Sequence, residues 1–214
     1  MPFRPGLALV ALLLFLALEA TTPIGQPAMA SADAAGATDA QHPTTGAIGV
    51  KVAEAGPTGN DDSAALLRAR RLIVPIAGMP RASLRDTFNE PRGARRHEAL
   101  DIIAPRGTPV VAVGDGRVAK LFDSVPGGHA VYLFDPDERF AYYYAHLESY
   151  ARGLKEGMPV RRGELLGYVG STGNATTGAP HLHFAIFRLG PERRWWQGTP
   201  VNPYAFLNDP DPSR

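Results

Sequence analysis

Short runs of β-branched and aromatic residues dominate the sequence from Ile73 onward, and Gly, Pro and Asp separate them. This spacing is typical of many short strands and leaves little room for long helices. Short strands joined by tight turns pair in antiparallel fashion. The sequence therefore predicts an all-β domain of mainly antiparallel sheets, with strands near residues 73–77, 101–104, 108–113, 116–122, 129–134, 139–146, 164–169 and 181–188.

A β-hairpin is predicted near the centre of this region. The segments 129–134 and 139–146 both alternate in character, and the turn-forming sequence Asp135-Pro136-Asp137-Glu138 joins them. Asp and Pro favour tight turns because their side chains restrict or hydrogen-bond the local backbone. The end of the hairpin remote from this turn would carry His146.

The N-terminus predicts export from the cytoplasm. Residues 1–30 contain Arg4, an apolar run over 6–18 and a small-x-small pattern at 28–30, as a secretory signal peptide does. An uncleaved anchor helix is the alternative, but a bilayer span needs about 20 apolar residues. We therefore expect cleavage, no stable membrane insertion afterwards, and a periplasmic or secreted mature protein.

A flexible linker is predicted over residues 31–65, because Ala, Gly, Thr, Asp and Pro offer few large apolar side chains to bury. One folded domain would follow over residues 66–214, and we expect it to be monomeric. A short helix ending at Arg71 and capped by Asp61 or Asp62 would lie at its beginning.

Composition excludes several classes of function. The 22 basic and 21 acidic residues nearly cancel, so the basic excess typical of nucleic-acid binding is missing. Cys is absent from the sequence. Disulfides, cysteine nucleophiles and thiolate metal sites are therefore ruled out, and any metal must be bound by His and carboxylates.

Histidines are concentrated in three short segments, which contain His97 with Asp101, then His146, then His181 with His183. Residues two apart on a strand project from the same face with Cα atoms roughly 6 to 7 Å apart, so His181 and His183 could converge. Residues four apart on a straight strand are separated by about 13 Å. A bend must therefore bring His97 and Asp101 together if they share a metal.

These segments and their glycine context resemble the lysostaphin/LytM-type zinc metallopeptidases of bacterial cell walls. The resemblance runs from about Val74 to Phe206. It rests on His97-x-x-x-Asp101, Ala104-Pro105-x-Gly107-Thr108-Pro109-Val110, Gly116-x-Val118, Tyr144-Ala145-His146-Leu147, Gly163, Gly167, Gly170-Ser171-Thr172-Gly173 and His181-Leu182-His183-Phe184.

The resemblance implies a compact antiparallel domain with a narrow groove and one Zn²⁺ per chain, bound by His97, Asp101 and His183. It implies catalytic roles for His146 and His181 in hydrolysing peptides of peptidoglycan. Two imidazoles and one carboxylate leave a coordination position open, as in catalytic zinc sites. The sequence leaves open which histidine is the general base and which cross-link is cleaved.

The sequence departs from the family pattern at Ala99, where Gly is common, and at Ala185, where an acidic residue is common. We expect the second change to alter the groove wall and so the specificity. Arg92, Arg95 and Arg96 lie just before the first ligand segment, where they could attract the carboxylates of a peptide.

Two alternative interpretations compete with the enzyme. His97-Glu98-x-x-Asp101 could be a variant of the helical His-Glu-x-x-His zinc motif, although the β-branched residues that follow speak against a helix. The chain could instead be a catalytically inactive LytM-domain protein that activates cell-wall amidases, although such relatives lack some of the five site residues. Latent members place an upstream asparagine on the zinc, so Asn89 and the linker are candidates for that contact.

Overall fold

Antiparallel pairing organises almost all of the described part of the chain, which in this computed structural model is residues 62–209. The strands are β1 (Pro91–Arg92), β2 (Arg95–Arg96), β3 (Leu100–Ile103), β4 (Pro109–Val111), β5 (Gly116–Ser124), β6 (Gly128–Phe134), β7 (Phe140–Tyr150), β8 (Pro159–Val160), β9 (Leu165–Val169), β10 (His181–Leu189) and β11 (Gly198–Val201). The helices are α1 (Ser63–Ala69), α2 (Tyr204–Leu207) and a 3₁₀ turn (Arg81–Ser83). The predicted all-β class is confirmed.

One large sheet contains every strand except the small hairpin formed by β1 and β2. Its main path runs β11-β10-β7-β6-β5-β8, and β9 pairs with both β4 and β7. β3 pairs with the first half of β10, on the edge opposite β7. Strand β10 therefore joins the three ligand segments: it contains the third, and its neighbours carry the other two.

The two faces of this sheet differ in what covers them. Alternate residues such as Leu182 and Phe184 on β10 and Tyr144 on β7 are fully buried in the main core. The residues between them face the other side, where His181, His183 and Ala145 lie. Because side chains alternate along a strand, packing one face of β10 into the core presents both histidines on the opposite face.

The central hairpin is confirmed, since β6 and β7 pair antiparallel across the turn at 135–138. Buried Asp135 stabilises the turn, because its Oδ1 accepts hydrogen bonds from the backbone N–H groups of Arg139 (2.7 Å) and Phe140 (2.8 Å). Arg70 donates to the other carboxylate oxygen, with Nη2 2.7 Å from Oδ2. The hairpin turn is thus tied to the end of α1.

The segment predicted as a strand near 73–77 lies antiparallel to residues 109–113 but is not a continuous strand. Ile76 bridges Val110, and three backbone hydrogen bonds join the two segments, from Ile73 to Val113, from Val111 to Pro75 and from Ala77 to Pro109. Pro75 has no N–H to donate, so a continuous ladder cannot form there. The short strands β1, β2, β8 and β11 were not predicted; the first three contain only two residues each. Such short runs carry no detectable alternation.

Helix α1 agrees with the predicted short helix, but Asp62 makes no side-chain capping bond and Asp61 lies outside the described residues. Leu67 of this helix is fully buried. The helix crosses position 65/66, our predicted boundary between linker and domain. The signal peptide at 1–30 and most of the linker lie outside the described residues, and no helix within 62–209 is long and apolar enough to span a membrane.

Candidate metal centre and active site

A sharp bend brings His97 and Asp101 together, as the spacing required. Glu98, between β2 and β3, has a positive φ of 60°, a conformation that side chains rarely adopt. The chain turns there and enters β3, so that His97 Nε2 lies 3.0 Å from Asp101 Oδ1. Because this segment is a turn followed by a strand, the helical His-Glu-x-x-His interpretation is wrong.

Strand pairing places His183 beside this pair. His183 on β10 stands directly opposite Asp101 on β3, and its Nδ1 lies 3.0 Å from Asp101 Oδ1. His97 Nε2 and His183 Nδ1 are 3.2 Å apart. Ligands at ~2 Å from a tetrahedral zinc ion lie about 3.3 Å from one another, so these three donor atoms suit zinc.

Thr87 supports this cluster, and nothing in its sequence pattern indicated such a role. Nδ1 of His97 donates to the carbonyl oxygen of Thr87 at 3.1 Å, which leaves Nε2 unprotonated and facing Asp101. The Thr87 hydroxyl oxygen accepts from the backbone N–H of Asp101 at 3.0 Å. Such outer contacts fix the orientation of metal ligands. The role of Thr87 becomes visible only after folding, when it lies beside both His97 and Asp101.

Electrostatics favour the charge states that bind a metal. Burial alone would raise the pKa of Asp101, but the imidazoles of His183 and His97 beside its carboxylate hold that pKa well below the usual range. Arg92 adds a further contact, with Nη2 2.7 Å from Asp101 Oδ2. Burial lowers the pKa of His183. An ionised carboxylate and neutral imidazoles are the forms that ligate zinc.

His146 and His181 lie next to this cluster. The ring centroid of His146 is 5.0 Å from that of His181 and 5.6 Å from that of His183. Nδ1 of His146 donates to the Thr172 carbonyl at 2.8 Å, and Nδ1 of His181 donates to the Ala179 carbonyl at 2.9 Å. Because a carbonyl oxygen only accepts, each ring keeps its Nε2 as a free acceptor.

A bulge in β7 directs His146 into the groove. Two residues of β7, Ala145 and His146, stand opposite the single residue Ala130 of β6. His146 has a φ of 61°, and its N–H donates to the Gly127 carbonyl at 2.8 Å. Burial lowers its pKa to about 4, so the ring is neutral at neutral pH. Bulges often reorient side chains in this way beside functional sites.

Thr172 secures the other side of His146, a role that its place in a turn-forming sequence did not reveal. Its hydroxyl donates to the Leu147 carbonyl at 2.7 Å and accepts from the His129 N–H at 3.1 Å. The 172–173 turn lies directly on Gly128, where an added Cβ would collide with Thr172. Thr172 thus links the turn before β10 to strands β6 and β7.

These side chains line a groove of about 510 Å³. The lining includes Arg92, Arg95 and Arg96 of the β1–β2 hairpin, and Asn174 and Thr176 of the segment before β10. Ala145 of β7 also lines the groove. The predicted groove is therefore present, and all five predicted site residues line it.

Other sequence expectations fall elsewhere in the structure. His129 does not line the groove; its Nδ1 pairs with Asp123 at 2.6 Å, and His42 lies outside the described residues. Ala185 is buried at 1% exposure and does not itself line the groove, but it packs in one cluster with Tyr143 and Ala145, which do. The expected effect on the groove and its specificity stays a prediction. Asn89 accepts a hydrogen bond from Arg96 at 2.8 Å.

Comparison with known proteins gives consistent results. The sequence profile of peptidase family M23 matches residues 95–203. An L-Ala–D-Glu endopeptidase of Bacillus subtilis is 33% identical over 121 residues, 53% of this chain and 37% of the relative. The peptidoglycan DD-endopeptidase ShyC of Vibrio cholerae is 37% identical over 96 residues, 45% of this chain and 21% of the relative. The chain thus matches well under two thirds of the length of these relatives.

A solved structure has a similar fold. The crystal structure of a LytM protein from Ruminococcus gnavus superposes with a TM-score of 0.50 and 36% identity, and covers 59% of this chain and 53% of that one.

Proposed function

The chain belongs to peptidase family M23, and we propose that it is a zinc-dependent endopeptidase that hydrolyses peptides of bacterial peptidoglycan. The observation that carries this proposal is the convergence of His97, Asp101, His146, His181 and His183 on one groove. Relatives named as an L-Ala–D-Glu endopeptidase and as a peptidoglycan DD-endopeptidase support the same reaction class. Export to the periplasm or the medium, where this substrate lies, is part of the proposal.

We assign zinc binding to His97, Asp101 and His183, whose donor atoms all lie within 4.8 Å of one another. Family M23 is zinc-dependent, and the absence of Cys leaves a mixed nitrogen and oxygen site as the available kind. Bound there, zinc would supply Lewis acidity toward a water molecule and the scissile carbonyl.

We assign proton transfer and charge stabilisation to His146 and His181. Each has a fixed Nδ1–H and an Nε2 free to accept, so each could orient a water molecule and take its proton. When the C–N bond of the peptide breaks, the proton passes to the leaving amine nitrogen. The imidazole that does not act as base would steady the negative charge on the carbonyl oxygen when it also carries a proton on Nε2, as an imidazolium. No Ser or Cys nucleophile is required.

Zinc content and hydrolysis, measured on the same variants, test these two assignments. Asp101→Ala should lose zinc, because it removes the carboxylate that contacts both ligand histidines, and with zinc it should lose hydrolysis. His146→Ala and His181→Ala should keep zinc and fold normally, yet hydrolyse purified peptidoglycan roughly 100-fold more slowly or worse, as for loss of a general base.

His129→Ala is the matched control and should change neither quantity, since His129 does not line the groove. A chelator should abolish hydrolysis by the unchanged chain, and added zinc should restore it. A zinc-loaded chain that leaves peptidoglycan intact but stimulates an amidase would support the inactive activator instead. Full zinc occupancy in Asp101→Ala would overturn the ligand assignment.

A further inference from the structure

The β1–β2 hairpin contributes three arginines to the lining of the groove. Arg92 on β1 and Arg95 on β2 are backbone partners in this hairpin, and Arg96 follows. All three side chains line the groove that contains the five site residues. Three cations therefore lie beside the place where a substrate peptide would bind.

These arginines differ in what already neutralises them. Arg92 is already ion-paired, with its Nη2 2.7 Å from Asp101 Oδ2 and 3.6 Å from Glu90 Oε2. Arg96 donates to the side-chain oxygen of Asn89, an uncharged partner. Within residues 62–209, Arg95 forms no ion pair. Arg95 and Arg96 therefore keep uncompensated charge on the rim.

The acidic residues of the groove do not cancel this charge. Among the described residues the lining contains two carboxylates, Glu98 and Asp101, against three arginines. Asp101 is paired with Arg92 and the ligand histidines. Glu98 is exposed and its carboxylate lies within 4.0 Å of neither the Arg95 nor the Arg96 guanidinium, and the lining residues Asn174 and Thr176 are neutral.

We propose that Arg95 and Arg96 form a carboxylate-binding subsite, so that the preferred substrate is a wall peptide carrying free carboxylates near the scissile bond. Guanidinium groups bind carboxylates through charge-assisted, often bidentate, hydrogen bonds. A bridge of glycines offers no carboxylate near its scissile bonds. This inference rests on the proposed function and adds a substrate class to it.

Soluble cross-linked peptides test the subsite, because they contain no anionic glycan or polymer that could compete for the arginines. Four versions of one peptide are compared: with free glutamate and diaminopimelate carboxylates, with either one converted to a carboxamide, and with both converted. We expect kcat/KM to be about tenfold higher for the free acid than for the doubly amidated peptide, the size expected of charge-assisted bonds at a partly exposed site. The singly amidated peptides identify which carboxylate is bound.

Variants then assign the preference to the hairpin. Arg95→Gln and Arg96→Gln should each reduce the ratio of kcat/KM for the free acid to kcat/KM for the doubly amidated peptide at least about threefold, mainly through a higher KM for the free acid. Hydrolysis of the doubly amidated peptide and the zinc content should stay unchanged. Glu98→Gln should increase the preference by removing a repelling charge. Arg152→Gln, at an exposed position outside the groove lining, is the control and should leave it unchanged.

Equal kcat/KM for the acid and amide peptides would overturn the subsite, as would arginine variants that slow both peptides equally. Failure of the proposed function is distinguishable, because then neither peptide is hydrolysed by the zinc-loaded chain. Equilibrium binding of the same peptides would still decide the subsite in that case. Tighter binding of the free acid that depends on Arg95 would support it, and equal binding would overturn it.

Discussion

Two histidines of the site depend on backbone carbonyls for their orientation. His146 and His181 each donate from Nδ1 to a carbonyl oxygen, of Thr172 and Ala179 respectively. A donor held in this way keeps the ring in one tautomer and one plane. The geometry of each imidazole is therefore decided by a residue that has no chemical function of its own in hydrolysis.

Thr172 is a positioning residue, and its hydroxyl can be tested by itself. Thr172→Val keeps the shape but removes the bonds to the Leu147 carbonyl and the His129 N–H. We expect kcat to fall about tenfold with zinc content and KM little changed, as for loss of a supporting contact behind an active residue.

Thr172→Ser retains the hydroxyl and is the matched control, so it should recover most of the lost kcat. The measurement is steady-state hydrolysis together with zinc analysis and thermal unfolding. If Thr172→Val keeps normal kcat, the hydroxyl does not position His146.

At the scale of elements, the site depends on contact between two turns. The turn that precedes β6 and the turn at 172–173 touch at Gly128 and Gly173, which have φ values of 62° and 73°. An added Cβ at Gly128 would meet the hydroxyl and backbone of Thr172. Glycine is needed there for its conformation and also for the space it leaves.

Gly128→Ala should therefore impair both stability and catalysis. The positive φ alone costs about 1 kcal/mol, and the collision with Thr172 adds about 1 to 3 kcal/mol as overpacking does. Gly157→Ala is the control, because Gly157 has a φ of 80° but no atom within 4 Å of an added Cβ. Chemical denaturation should show Gly128→Ala to be the less stable of the two, and hydrolysis should fall only in Gly128→Ala. Equal losses of stability in Gly128→Ala and Gly157→Ala would show that the two turns can move apart to accommodate the added Cβ at little cost.

At the scale of the whole molecule, α1 ties the N-terminal end of the described region to the sheet. Leu67 is fully buried in the main core, and Arg70 donates to Asp135, which is 1% exposed. A carboxylate that loses its partner inside a protein is strongly destabilising. The helix therefore belongs energetically to the domain that holds the site.

Two truncated chains test this. A chain beginning at Leu66 keeps Leu67 and Arg70, so we expect it to fold, bind zinc and hydrolyse peptidoglycan at least as fast as the full chain. A chain beginning at Ile73 loses about 2 to 5 kcal/mol from Leu67 and about 3 to 5 kcal/mol from Arg70, close to the whole stability of a domain. Thermal unfolding measures the stability of each truncated chain, and turbidity loss of purified peptidoglycan measures its hydrolysis. An inactive but folded, zinc-loaded chain from Leu66 would place substrate-binding residues before it.

The sequence by itself determined the all-β class and the central hairpin, and its resemblance to a known family supplied the candidate site residues. The class and the hairpin depend on local signals, namely alternation along a strand and the turn residues at 135–138. The same signals overestimated the regularity of 73–77, where Pro75 cannot donate to the ladder although the segment lies against 109–113. They also missed the two-residue strands, which are too short to show a pattern.

Only the tertiary structure decided how these residues meet and what supports them. The register of β3 on β10 sets His183 opposite Asp101, and the bulge at His146 depends on how β6 and β7 pair. Thr87 and Thr172 act through side-chain or backbone oxygens whose partners lie 10 or more residues away along the chain. Local sequence patterns report the conformation of neighbours in the chain, whereas these contacts depend on segments that meet only after folding.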